Sequence, residues 1–169
     1  FRDGNTVIFG PATGLTDGRE LTAKPASELL GIPMKLIPKR AARRVMVPAG
    51  FHRATANLTQ SVVYGDSYQF GPILLPELPL PEDTTALGRA SIYFGRNAPG
   101  LVIRETESAK IVFSAATPIP ASILRALAVH GGCVPWSSQG DVVYASGAFL
   151  AVHSTRPGHR TITLPESKR

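Results

Sequence analysis

The sequence predicts an α/β domain, and three observations carry that expectation. A short β-favouring run, Asn5-Thr6-Val7-Ile8-Phe9, stops at Gly10-Pro11 and is followed by a loop and a helical stretch. A second helical stretch, Pro118 to His130, follows a pair of apolar β-rich runs and keeps its apolar residues on one face. The chain then closes on two further β-rich runs, 141–145 and 149–153, separated by Ser146-Gly147-Ala148, which predict an antiparallel hairpin.

Taken in order, Asn5 to Phe9 reads as a buried strand, and Ala12 to Gly18 as the loop at its carboxyl end. Thr22 is the expected N-cap of a short helix over 23–30, with Pro25 tolerated in the first turn and Gly31 and Pro33 ending it. Short strands are predicted at Lys35–Ile37, Arg44–Val47, Val62–Tyr64, Ile73–Leu75 and Thr85–Ala90. The segment Leu75-Pro-Glu-Leu-Pro-Leu-Pro81 lacks too many N–H donors for a central strand and reads as an extended connector or edge. Leu101–Arg104 and Lys110–Ser114 pair across the polar turn Glu105–Ala109. In the helix that follows, Ile119, Ile123, Leu124, Leu127 and Ala128 recur at helical spacing, Pro120 suits the first turn, and Gly131-Gly132 stops it. Cys133 to Trp136 reads as a short buried strand, and Thr161 to Leu164 as the last strand of a terminal antiparallel meander.

Composition narrows the class of function. The chain has 169 residues, 43% of them hydrophobic, enough for one domain or slightly more with a real core. No run approaches the roughly 18–20 apolar residues of a membrane helix. The opening Phe1-Arg2-Asp3-Gly4 has neither an initiator Met nor a signal pattern, so a segment of a longer protein is expected. Net charge is +6 and the pI about 9.9. The basic residues gather at Lys35, Lys39, Arg40, Arg43, Arg44 and Arg53 and at the C-terminal Lys168-Arg169, but Pro38 and Pro48 interrupt the first cluster and only Phe51 offers it a stacking surface. A solvated basic edge or subunit surface is expected there, not a nucleic-acid site. The single cysteine, Cys133, excludes an intrachain disulfide and a Cys-based metal site.

The block from Gly100 to Pro165 resembles a known family. It runs through Phe113-Ser-Ala-Ala116, Pro118-Ile-Pro-Ala-Ser-Ile-Leu-Arg-Ala-Leu-Ala128 and Gly131-Gly-Cys-Val134. It closes with Gly140-Asp-Val-Val-Tyr-Ala145, Phe149-Leu-Ala-Val-His153 and Thr161-Ile-Thr-Leu-Pro165. This order is similar to the C-terminal region of bacterial β-galactosidase-like glycoside hydrolases related to family 42. In these a catalytic barrel precedes a flavodoxin-like, or glutamine-amidotransferase-like, trimerisation domain. Thr6–Phe9, the Pro11–Gly18 loop, Ala26–Ile32, Gly71-Pro72-Ile73 and Ala86-Leu87-Gly88 extend the likeness over nearly the whole chain.

The resemblance implies a partial flavodoxin-like three-layer sheet over residues 1–132, with residues 133–169 completing the same domain as an antiparallel β meander. It also implies that the barrel bearing the catalytic acids lies upstream. The partners are then that barrel and identical subunits, with no nucleic acid, no membrane and only indirect contact with carbohydrate. No cofactor is implied, and no catalytic residue carries over.

Candidate chemistry within the chain is sparse. Cys133 follows a helix instead of occupying a strand-to-helix elbow, and a buried structural thiol is expected. His52, His130, His153 and His159 lack metal-ligand spacing; His130 suits a helix C-terminus, and His153 can join Asp141 and Tyr144 in a polar cluster. Glu77, Glu82, Asp83, Glu105 and Glu107 are scattered and read as solvated surface. Gly10-Pro-Ala-Thr-Gly14 lacks the features of a phosphate cradle. Phe51, Tyr64, Tyr68, Phe70 and Trp136 are the candidates for sugar stacking. Tyr64, Tyr68 and Phe70 form the best platform among them.

Three functions follow for the chain. The first is a non-catalytic assembly domain of a glycoside hydrolase. The second is a stand-alone carbohydrate-binding module using the aromatic loop around Tyr64–Phe70. The third, an independent amidotransferase-like or esterase-like hydrolase, lacks its nucleophile elbow.

Overall fold

The structure, a computed structural model, describes residues 4–92, 96–154 and 156–164, without the side chains of 41, 69, 70, 92, 96 and 97. It divides into two compact units, Phe1–Gly131 and Gly132–Arg169.

The larger unit is built on a six-stranded sheet in the order β1-β8-β7-β6-β3-β4. Its strands are β1 (Asn5–Phe9), β3 (Ala41–Val47), β4 (Val62–Phe70), β6 (Thr84–Ile92), β7 (Arg96–Glu105) and β8 (Ala109–Ser114). A second ribbon pairs β2 (Met34–Ile37) with β5 (Ile73–Pro76), antiparallel, and β5 packs on β7. Helix α1 (Lys24–Leu30) carries Pro25 in its first turn, buries Ala26 and Leu30 four residues apart, and ends at Gly31 with φ +64°. Helix α2 (Ala121–His130) starts from Pro120 and buries Ile123, Ala126 and Leu127. Leu124, assigned by the sequence pattern to the same apolar face, is 41% exposed.

Successive strand residues point to opposite faces of a sheet, and the end of β7 shows what covers each face. Arg104 donates to the carbonyl of Leu30 at the end of α1, whereas Glu105 meets His130 at the end of α2 and Arg53 in the 3-10 turn Arg53–Thr55. Elements therefore cover both faces here, and Leu101, Val102, Ile103, Val112 and Phe113 are all fully buried. The sheet also curls. Tyr64, on the edge strand β4, places its hydroxyl 2.7 Å from Ser114 at the end of β8, four strands away in the sheet order. Gly100 is the β7 residue passed over where the β6–β7 register shifts between Gly88–Leu101 and Arg89–Pro99, and a Cβ on it would lie 2.6 Å from the Ala90 nitrogen.

These findings overturn the flavodoxin-like α/β expectation. Such a fold needs parallel strands joined by crossover helices. Among the described residues only β1–β8 pairs in parallel, while β3–β4, β3–β6, β6–β7 and β7–β8 are antiparallel. Among the described residues, two short α-helices against ten strands make the structure mostly β, a curled mixed sheet in place of a three-layer sandwich. Strand β1 is an edge, not a buried centre, and its Ile8 is 37% exposed. The N-cap of α1 is Ala23, with Thr22 Oγ1 accepting from the Lys24 N–H at 3.3 Å.

The smaller unit contains the hairpin β9 (Val142–Ser146) and β10 (Phe149–His153), turned at Gly147 with φ +56°. Thr161–Leu164 contributes a single bridge, Ile162 to Ser137, in place of a full strand. Cys133–Trp136 is not a strand and Cys133 is exposed; among the described residues the pairing near it is the bridge at Ser137 and the bond from the Thr163 N–H to the Trp136 carbonyl.

Candidate functional site

Three features carry chemistry or surface character: an ion-pair cluster under the curled sheet, the β4 edge, and a polar cavity in the smaller unit.

The cluster centres on Glu105. One carboxylate oxygen accepts from Arg53 at 2.6 Å, and the other lies 2.9 Å from His130 Nε2. His52 stands beside them, its ring centroid 6.0 Å from that of His130 and tilted edge-on. Burial opposes ionisation of Glu105, but hydrogen bonds from Arg53 and His130 outweigh it and hold the carboxyl below the usual carboxylate range. His52 is shifted down, first by burial and further by its neighbours His130 and Arg53, against the opposing pull of Glu105. Its Nδ1 accepts the Ala54 N–H at 3.1 Å, while Thr55 Oγ1 accepts the His52 N–H, so the ring caps the 3-10 turn in its neutral form. A carboxylate orienting an imidazole is one half of an acid–base pair. Here the His130 side chain is only 10% exposed, and the group pins α2 and the 3-10 turn to the end of β7. The sequence reading placed Glu105 on a solvated surface; the pairing partners lie 52 and 25 residues away.

Other buried polar groups act in the same way. Tyr64 is 6% exposed and shares a hydrogen bond with Ser114, whose hydroxyl also donates to the Ala116 carbonyl. Burial pushes the Tyr64 phenol up to about 12, against the lowering effect of that hydrogen bond. Arg104 bridges Asp83 at 2.8 Å and Leu30.

The proposed aromatic platform is therefore not assembled as a surface. Tyr64 faces the core and offers no ring to a ligand. Tyr68 is 75% exposed because β4 bulges there: Arg43 pairs with Asp66 and Ala42 with Gln69, leaving Ser67 and Tyr68 as extra residues. Asp66 Oδ1 stabilises the bulge by accepting the Tyr68 N–H at 2.8 Å. The Phe70 side chain lies outside the described residues.

The β4 edge is the second feature, since β4 ends the sheet order. Residues in register across a sheet share a face, and Val63, Met46 and Arg89 are in register across β4, β3 and β6. Val63 is 60% and Met46 46% exposed. Arg89 then borders a cleft of about 310 Å³ lined with it by Leu78, Ala86, Ala98 and Pro99. Leu78, in the proline-rich connector, is 62% exposed.

The third feature is a cavity of about 330 Å³ in the smaller unit, walled by Gln139, Asp141, Val142, His153, Arg156 and Arg160. Asp141 accepts from Ser137 at 2.7 Å and pairs with Arg160 at 2.9 Å. The Ser137 hydrogen bond, and after it that of Arg160, holds the Asp141 carboxyl below its usual range despite burial. Arg160 also donates to Ser154 and to the Arg156 carbonyl. The cavity brings together Asp141 and His153, as the sequence suggested, while Tyr144 lies one step along the hairpin. Gln139, Arg156 and Arg160 were not foreseen.

Among the described residues, no group of three or more His, Cys, Asp or Glu is placed to hold a metal, and no helix is long and apolar enough to cross a membrane. A scan of protein-family models, a search of curated proteins and a search of solved structures each returned no match.

Proposed function

We propose that the chain is a non-catalytic assembly domain of a bacterial glycoside hydrolase of the β-galactosidase-like kind, whose catalytic barrel lies upstream. The observation that carries the assembly role is the exposed row Val63–Met46 on the free β4 edge, continued by Arg89 into the cleft beside Leu78. A free strand edge with apolar side chains invites pairing with another strand. The bulge at Ser67–Tyr68 breaks the regular edge, so pairing is confined to Val62–Asp66. The occupant is a second copy of this chain, whose own β4 can pair antiparallel about a two-fold axis. The Glu105, Tyr64 and Arg104 groups fit the same role, because each fixes one element of the scaffold to another.

Sedimentation velocity tests this on the full chain. The wild type is expected to self-associate in the micromolar range, and Val63→Lys with Met46→Lys to sediment as a monomer with an unchanged far-UV spectrum. A wild type that stays monomeric at high concentration overturns the self-pairing. Turnover of aryl glycosides by this chain alone overturns the non-catalytic assignment.

A further inference from the structure

We propose that the cavity of the smaller unit is a binding site for one acidic sugar unit, a uronate within an oligosaccharide. The charge balance leads to this. Asp141 and Arg160 neutralise each other and are fixed by Ser137, Ser154 and the Arg156 carbonyl. Among the described residues, the Arg156 guanidinium has no such partner, and it lines the cavity. Arg156 therefore brings to the cavity a cation that no described acid compensates, and its planar fork matches a carboxylate. Gln139 uses its amide N–H on the His159 carbonyl, which leaves its side-chain oxygen to accept from a sugar hydroxyl. The His153 ring supplies a further polar edge.

The wall of the cavity continues into the hairpin. Val142 and His153 are in register and line it; Tyr144 pairs with Ala151 and Phe149 with Ser146 on that same face. Tyr144 is 66% and Phe149 83% exposed. Residues two apart in a strand are separated by about 6.8 Å, so Tyr144 stands close to where the next sugar ring would leave the cavity. Sugars have apolar faces that stack on aromatic rings, and a flat, exposed Tyr supplies one. Nucleic acid fits poorly: residues 132–169 carry Arg156, Arg160, Lys168 and Arg169 against Asp141 and Glu166, two net positive charges, and the described residues form no basic track for successive phosphates.

The site lies within the smaller unit and makes no use of the β4 edge, so it stands or falls apart from the assembly reading. Isothermal titration of the full chain with trimers of galacturonate, glucuronate and mannuronate, neutral galactotriose and a short single-stranded DNA tests it. At least one uronate trimer is expected to bind, with affinity falling as salt rises. Arg156→Ala should weaken it roughly tenfold or more, the usual loss for a charged hydrogen bond. Tyr144→Ala should weaken neutral and acidic trimers alike by several-fold. Arg156 and Tyr144 are exposed, and unchanged thermal melting will show that both variants fold. Binding of no uronate trimer overturns the proposal, as does equal affinity for galactotriose or a preference for DNA. Sedimentation of the same samples reads the assembly separately.

Discussion

Replacing Glu105 by Ala is the perturbation whose cost the structure specifies best. The carboxylate serves His130, whose side chain is 10% exposed, and Arg53, which is 68% exposed. Stranding a nearly buried ring nitrogen costs about 1–3 kcal/mol. The Arg53 arm is solvent-screened and adds at most about 1 kcal/mol. A loss of about 1–4 kcal/mol is therefore expected at pH 7.5, equivalent to a fall in Tm of roughly 3–16 °C for a unit of this size. Urea unfolding followed by far-UV circular dichroism measures it. Glu105→Gln keeps an acceptor oxygen and should fall between the two. The pH dependence follows from the lowered carboxyl: the charge of Glu105 stabilises fully above its ordinary value of 4.5 and is lost as pH falls through the lower folded value. The gap between wild type and Glu105→Ala should thus narrow below about pH 4. A difference under about 0.5 kcal/mol at pH 7.5 would refute the pinning role, since an exposed pair alone explains that much.

Four further outcomes are expected. His52, held neutral to cap the 3-10 turn, stabilises fully above its ordinary 6.5 and less as pH falls through its lowered value; His52→Asn keeps a capping acceptor and should remove that slope from the stability-against-pH curve. Tyr64→Phe should cost about 1 kcal/mol and abolish the phenol that ionises near 12 in an ultraviolet titration. With a raised folded value, Tyr64 stabilises fully below the ordinary 10 and loses that contribution as pH rises through about 12. Gly100→Ala should destabilise by about 1–3 kcal/mol through overpacking, because its Cβ would meet Ala90 and Val45 within 2.8 Å, whereas Gly10→Ala meets nothing within 4 Å and should be neutral. Exposed Cys133 should react with a thiol reagent in the native protein to one equivalent; protection until unfolding would contradict its placement.

The elements were more legible than their arrangement. Period-two and helical patterns, Pro25, Gly31 and Pro120 located β2, β3, β5, β6, β8, both helices and the terminal hairpin close to where they lie. They gave only Leu101–Arg104 of β7 and only Val62–Tyr64 of β4, whose remainder to Phe70 reads as an aromatic loop. Pairing was not legible, because a short apolar run reads the same whether its neighbour is parallel through a crossover or antiparallel through a turn. Taking Asn5–Phe9 and α1 as a βα unit supplied the wrong topology: β1 joins β8, which is 100 residues and more downstream. Tyr64 shows the same limit at a site. Its place beside Tyr68 and Phe70 suggested an aromatic surface, yet the alternation of β4 turns it to the core and the bulge turns Tyr68 outward. Glu105, Arg53 and His130 come from three distant segments, and nothing local in any of them announces the others. Asp141 and His153 were legible because a hairpin joins near neighbours: Val142, next to Asp141, pairs with His153, and both Asp141 and His153 line the cavity.

The assembly role rests on the β4 edge, and hydrogen–deuterium exchange of the full chain at low and high protein concentration probes that edge directly. Amides of Val62–Asp66 should exchange more slowly at high concentration, while those of β1, the opposite edge, stay unchanged. Equal exchange of Val62–Asp66 at both concentrations would contradict the account.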